Sequence, residues 1–245
     1  MILEVKWCGF DFGQCIMDPG GLRNPLVFGD IYKELGKPEL IPDKIRRYRI
    51  LKEKYGAYGK IKEGHRDEIH SFVLDDDPKA IELFSKKEQE YLSMAEGLED
   101  ALEYLRSQGI ELQVISEMKK TLGAVGTDLV SKFLKTKGLL GYFKDLITPQ
   151  GRINLQRDSL DLKYKGCTKE DGSIYDVLAK ELKERDIEPD EAVMVGDKPE
   201  TDINPPHDRG FKTIQYVGYM DFGKSEADMV ISSFSELKTI LRRKG

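Results

Sequence analysis

The stretch that decides the fold is EVKWCGFDFGQCIMD, residues 4–18. Val5, Trp7, Cys8 and Phe10 form an apolar run without in-and-out alternation, the pattern of a parallel strand covered on both faces. The run ends on Asp11, a residue type rarely buried without a partner. In open α/β sheets the carboxyl end of a strand borders the ligand crevice. Asp11 therefore marks a site if other strand ends bring matching groups beside it.

Two later strands and the start of one helix do so. After the amphipathic segment LEDALEYLRSQG, whose Gly109 is placed as a helix stop, IELQVIS reads as a strand ending in Ser116. A helix over residues 122–137, the turn GLLGYF and a strand at Asp145–Thr148 follow, then polar, irregular sequence over 151–168. Lys169 opens a helix in KEDGSIYDVLAKELKERDI, with acidic and small residues in its first turn. EAVMVG is a strand closed by Asp197, with Asp202 five residues on; FKTIQYVG and ADMVISS add strands, and SELKTILRRK a last helix. Alternating strands and helices imply right-handed crossovers and a doubly wound, mostly parallel α/β sheet, so Asp11, Ser116, Lys169 and Asp197 converge on one edge.

Between residues 28 and 95 only helical patterning is present, broken at Gly56, Gly59, Gly64 and residues 75–78. This predicts a helical cap at 20–95 inserted into a core of 1–19 and 96–245, hinged at Gly20 in the PGGLRNP loop and at Gly97. A length of 245 residues suits one such core with one insertion.

Composition excludes several classes. The net charge of -5, from 39 basic and 44 acidic residues interleaved along the chain, lacks the basic surface of a nucleic-acid binder. No window resembles a membrane span or a signal peptide, so no membrane partner is expected and the cytoplasm is the expected compartment. Cys8, Cys15 and Cys167 have neither disulfide nor zinc spacing.

With these residues in view, the chain resembles the haloacid dehalogenase superfamily of hydrolases and phosphatases. FDFGQC matches its nucleophile motif at Asp11, VIS its second motif at Ser116, KEDGSIYDVLAKEL its lysine motif at Lys169, and MVGDKPETD its acidic motif at Asp197 and Asp202. The segments FLKTKGLLGYF and RGFKTIQYVG also match, so the likeness covers all but the cap. It implies a Rossmann-like core and a phosphatase-type hydrolase of small anionic, phosphorylated metabolites. It further implies catalysis by Asp11, Ser116 and Lys169, and Mg²⁺ held by Asp11, the Gly13 carbonyl, Asp197 and Asp202. The chemistry agrees: a phosphoryl group in flight needs an in-line nucleophile and positive or donor groups around it. Lys163 and Lys165 compete with Lys169 for the cationic role.

The first motif departs from the pattern. Family phosphatases carry a second aspartate, a proton donor, where this chain has Gly13; Gln14 stands where Gly is usual, and Cys15 where Thr is usual. Members lacking that aspartate cleave bonds whose leaving groups need less protonation, so hydrolysis of a carbon-halogen or carbon-phosphorus bond is an alternative, and a non-catalytic binder of the same fold is another. The phosphonatase pattern requires a cap lysine, and Lys44, Lys52, Lys54, Lys60 and Lys62 offer no motif that selects one. His65 and His70, i and i+5, do not share a helix face and read as unrelated surface residues. Asp75, Asp76 and Asp77 read as a solvated turn; Arg46, Arg47 and Arg49 read as a solvated face; and Cys15 reads as a small buried filler.

Overall fold

The computed structural model describes residues 2–18, 26–56, 61, 64–117 and 124–245. The expected hinge at Gly20, the break at Gly59, Lys60, Lys62 and Leu122 lie outside the described residues, and the helix expected over 122–137 is Leu129–Thr136, because the Asp128 side chain caps it by accepting the Ser131 N–H.

The chain forms two compact units, Met1–Met17 with Met94–Gly245, and Asp18–Ser93. The first is a mixed α/β unit around one eight-stranded sheet. Its strands are, in chain order, β2 (Trp7–Phe10), β5 (Glu111–Ile115), β6 (Asp145–Thr148), β7 (Gly151–Asn154), β8 (Ser159–Asp161), β9 (Ala192–Gly196), β10 (Lys212–Tyr216) and β11 (Met229–Ile231). The sheet order is β11-β10-β9-β2-β5-β6-β7-β8, and every pairing is parallel except β6 with β7 and β7 with β8. Parallel strands covered by helices on both faces account for the unbroken burial of β2, β6 and β9. One face of the core packs Trp7, Met194, Tyr175 and Phe211, with the Trp7 and Phe211 rings edge to face at 6.3 Å. Gly9 is the residue the indole requires, since a Cβ there would lie 2.4 Å from Trp7.

Two smaller sheets hold the other strands of the described residues. β3 (Met17–Asp18) pairs with β4 (Ser93–Met94), and β1 (Leu3–Val5) runs parallel to β12 (Leu241–Arg243). The second pair corrects two sequence expectations. The apolar run before Asp11 is not one strand, because Lys6 interrupts it and turns residues 3–5 away from the main sheet. The last helix stops at Ile240, and Leu241–Arg243, read from sequence as its continuation, is a strand. Leu237, Ile240 and Leu241 have helical spacing, but β1 offers an open edge, and Leu241 is buried opposite Leu3.

A third correction concerns residues 151–168, where β7 and β8 form an antiparallel extension rather than irregular chain. Their sequences carry little strand propensity. Pairing is fixed by cross-strand polar contacts instead, Asn154 to Asp145 at 2.8 Å and Arg152 to Asp161 at 2.5 Å. A fourth is that Lys169 does not open its helix. The helix is Ser173–Lys183, with Gly172 in the left-handed region at φ 76°, so Lys169 sits in the preceding loop.

The unit Asp18–Ser93 is helical, with Leu26–Glu34, Ile41–Tyr55 and Pro78–Tyr91 packed around Phe28, Tyr48 and Phe84. Its acidic run is not simply solvated. Asp77 caps the helix Pro78–Tyr91, accepting from the Lys79 N–H at 2.9 Å, and Asp75 pairs with Lys44 and, at 2.6 Å, with Arg47. Arg46 and Arg47 both bind Asp43, so neither stands unengaged, while Arg49 is exposed. Lys44 is buried in its ion pair, and His65 stacks on Tyr55 at 3.7 Å.

Candidate active site

Register alone gathers the first three groups. β2 lies between β9 and β5, with Phe10 opposite both Val195 and Val114. Asp11, Ser116 and Asp197 therefore leave the carboxyl ends of three adjacent strands, which in any sheet lie about 4.8 Å apart. All three are buried. The Asp11 N–H donates to the Val195 carbonyl at 2.8 Å, and the Ser116 N–H to the Ile147 carbonyl at 2.9 Å, so each strand end is tied to its neighbour.

Lys169 reaches this edge from its loop. Its ammonium donates to Asp11 Oδ1 at 2.5 Å and to Asp202 Oδ1 at 2.7 Å, and only 1 % of the residue is exposed. This geometry decides among the three candidate lysines: Lys163 is exposed and binds Glu181 at 3.2 Å, and Lys165 is exposed. Asp202 is held in turn by the Lys198 N–H, 3.1 Å from Oδ2. Gly196 leaves room for it, since a Cβ there would fall 2.3 Å from the Asp202 Cβ. Asp202 thus has both oxygens occupied and serves first as the anchor of Lys169.

Asp197 is different. Both of its carboxylate oxygens are buried without a hydrogen-bond partner among the described residues. Carboxylate oxygens of Asp11, Asp197 and Asp202 lie within 4.8 Å of one another, a set able to hold a cation. Among the described residues these three carboxylates share the Lys169 ammonium, with the charge of Lys198 also acting on Asp197, and a divalent ion would offset the negative charge that is left. Oxygen-only donors suit a hard ion such as Mg²⁺.

The electrostatics record the imbalance. Burial, with the charge of Asp202, raises the Asp11 carboxyl to about 6 despite the opposing pull of Lys169. Burial, then the charges of Asp11 and Asp202, raise Asp197 to about 8. A carboxyl whose folded pKa lies above its unfolded value stabilises the fold at low pH, and that contribution is lost as pH rises through the folded value. Metal-free protein is therefore expected to lose thermal stability between about pH 4 and pH 8. Asp197→Asn should flatten most of that decline and raise Tm at pH 8; a Tm profile as steep as wild type would count against the assignment.

The loop after Asp11 explains the unusual first motif in part. Gln14 lies at φ 65°, the left-handed region, where glycine costs nothing and glutamine costs about 1 kcal/mol. Gly13 bridges to Met17, and a Cβ built on it meets nothing within 4 Å. Cys15 is fully buried with Sγ 3.7 Å from the Val195 carbonyl. Burial and the charges of Asp11, Asp197 and Asp202 push its thiol well above the usual range, so it is held as an inert thiol.

No family model matches the sequence, and no curated protein matches it. Solved structures do. A HAD phosphatase from Thermococcus onnurineus superposes with a TM-score of 0.56 at 25 % identity, covering 96 % of this chain and 97 % of that one. The chain has the haloacid dehalogenase superfamily fold. Among other similar structures, a HAD-hydrolase of Bacillus subtilis bound to magnesium gives 0.57 at 15 % identity, over 96 % and 98 % of the two chains. A 2-haloacid dehalogenase from Pseudomonas syringae pv. Tomato gives 0.50 at 19 %, over 96 % and 97 %. One superfamily fold thus carries both phosphatases and a dehalogenase, and the site must choose the chemistry.

Two residues near this edge of the haloacid dehalogenase fold have no signal in the sequence. Glu117 accepts the backbone N–H of Lys169, and Arg209 binds Asp176 at 2.7 Å and the Asp171 carbonyl at 3.3 Å, holding the loop that carries Lys169. A Cβ at Gly172 would strike the Arg209 guanidinium at 2.2 Å, so glycine is required there for space as well as for its φ. Both contacts join segments remote in sequence, which no local pattern reports.

Proposed function

We propose that the chain is a Mg²⁺-dependent phosphohydrolase of small phosphorylated metabolites, working through an aspartyl-phosphate at Asp11. The observation that carries the reading is the pair of Asp197 oxygens, unpartnered among the described residues, beside a Lys169 ammonium already bound to Asp11 and Asp202. A carbon-halogen hydrolase needs no buried carboxylate left short of positive charge.

In this reading an Asp11 oxygen attacks phosphorus, the bond from phosphorus to the leaving oxygen breaks, and the phosphoryl group rests on Asp11. Lys169 offsets charge on the equatorial oxygens, and the Ser116 hydroxyl donates to one of them. Asp11, the Gly13 carbonyl and Asp197, with Asp202 close by, would hold Mg²⁺, which would supply the remaining positive charge. Water then attacks phosphorus, returning Asp11 as a carboxylate and releasing phosphate. Gly13 has no proton to give, so the leaving oxygen departs as an anion. That restricts efficient substrates to those with good leaving groups, such as acyl phosphates.

The test is a hydrolysis panel of acetyl phosphate, p-nitrophenyl phosphate, sugar phosphates and 2-haloacids, with and without Mg²⁺. Turnover is expected on the first two, and only with the ion. Metal-independent halide release would replace the proposal with the dehalogenase reading, and silence on every compound would leave a binding protein.

A further inference from the structure

Lys169 is a lysine on a loop, and a loop lysine has two ends to fix. The ammonium end is fixed by Asp11 and Asp202. The backbone end has no helical ladder to join, because the helix begins at Ser173. A buried N–H without a partner is costly, so something must accept it. Its acceptor is the carboxylate of Glu117, which also takes the Glu170 N–H at 3.3 Å on the same oxygen. On the other side the Lys169 carbonyl accepts the Gly172 N–H at 3.1 Å.

Glu117 directly follows Ser116, so one carboxylate ties the loop after β5 to the loop that carries the cation. We propose that Glu117 is the positioning residue for Lys169, setting where the ammonium stands relative to Asp11. The proposal rests on the reading of Lys169 as the phosphoryl-binding cation. Glu117 acts through backbone hydrogen bonds, and the requirement is an acceptor oxygen at glutamate reach. A charge at that place is not required, since Asp11, Asp197 and Asp202 already bring three carboxylates to the site.

Two conservative variants separate reach from charge. Glu117→Gln keeps the acceptor at the same length and drops the charge; Glu117→Asp keeps the charge and shortens the arm by one methylene. Two signals of wild type and both variants are compared: hydrogen exchange of the Lys169 and Glu170 amides, and the side-chain ammonium resonance of Lys169, assigned by its loss in Lys169→Met. Glu117→Gln is expected to preserve both signals. Glu117→Asp is expected to speed exchange of the two amides at least about tenfold and to shift or broaden the ammonium resonance, while Tm changes little.

On acetyl phosphate with Mg²⁺, Glu117→Asp should lower kcat by about 10- to 100-fold with KM altered less than about threefold, because a displaced cation is felt in the transition state. Glu117→Gln should restore most of that turnover. The reverse ranking, with the aspartate variant intact and the glutamine variant impaired, overturns the proposal in favour of charge. Unchanged exchange in Glu117→Asp overturns it as well. Wild-type silence on the substrate panel would sink the proposed function alone, because the two spectroscopic signals still decide the role of Glu117.

Discussion

Asp11→Asn is expected to reduce Mg²⁺-dependent hydrolysis of acetyl phosphate by at least about 10⁴-fold, to the level of uncatalysed breakdown. The amide has nearly the same shape and still accepts the Lys169 ammonium through its carbonyl oxygen, so the pocket should survive while the nucleophile is lost. Stability should move the other way. Burial and the charge of Asp202 make the ionised Asp11 carboxyl unfavourable in the fold, so the neutral variant should melt no lower than wild type at pH 8 without divalent ions. Loss of turnover together with a gain or retention of Tm identifies a reacting group, whereas a parallel fall in both would identify a packing residue. Residual activity within about tenfold of wild type would remove Asp11 from the chemistry.

Gly13→Asp is expected to act in the opposite direction, raising kcat/KM on alkyl and sugar phosphates by about 10²- to 10⁴-fold, the range typical of a positioned proton donor. The backbone accepts the change: a Cβ at Gly13 meets nothing within 4 Å, and its φ lies outside the left-handed region. The electrostatic setting favours it too. A new carboxyl beside Asp11, Asp197 and Asp202 is pushed towards its protonated form, which is the state a general acid needs near neutral pH. Acetyl phosphate, whose leaving group departs unaided, should gain far less, under about tenfold. The contrast between the two substrates is the measurement. An equal gain on both would point to a changed metal site, and no gain in a folded variant would mean that more than the proton donor is missing.

The fold was legible wherever a local pattern carries a long-range consequence. An apolar run closed by a carboxylate names a buried parallel strand and the edge it ends on, and this held for β2 with Asp11 and β9 with Asp197. The polar hairpin β7–β8 was not legible, because its stability comes from partners on β6 and on each other rather than from its own composition. The strand Leu241–Arg243 departs from its sequence pattern for the same reason, since its helical spacing is local and the open edge of β1 is not.

By itself the sequence determined the α/β class and the places of Asp11, Ser116 and Asp197 after apolar strands, with Gly13 two residues beyond Asp11, because residue type, order and spacing are properties of the chain alone. The tertiary structure alone decided that Lys169 and not Lys163 or Lys165 reaches Asp11, that Asp202 is occupied in holding it, that Asp197 has both oxygens unpartnered among the described residues, and that Glu117 accepts the Lys169 N–H. Each of those is a contact between segments dozens of residues apart or a balance of charge inside a shared volume, and neither quantity exists until the chain has folded.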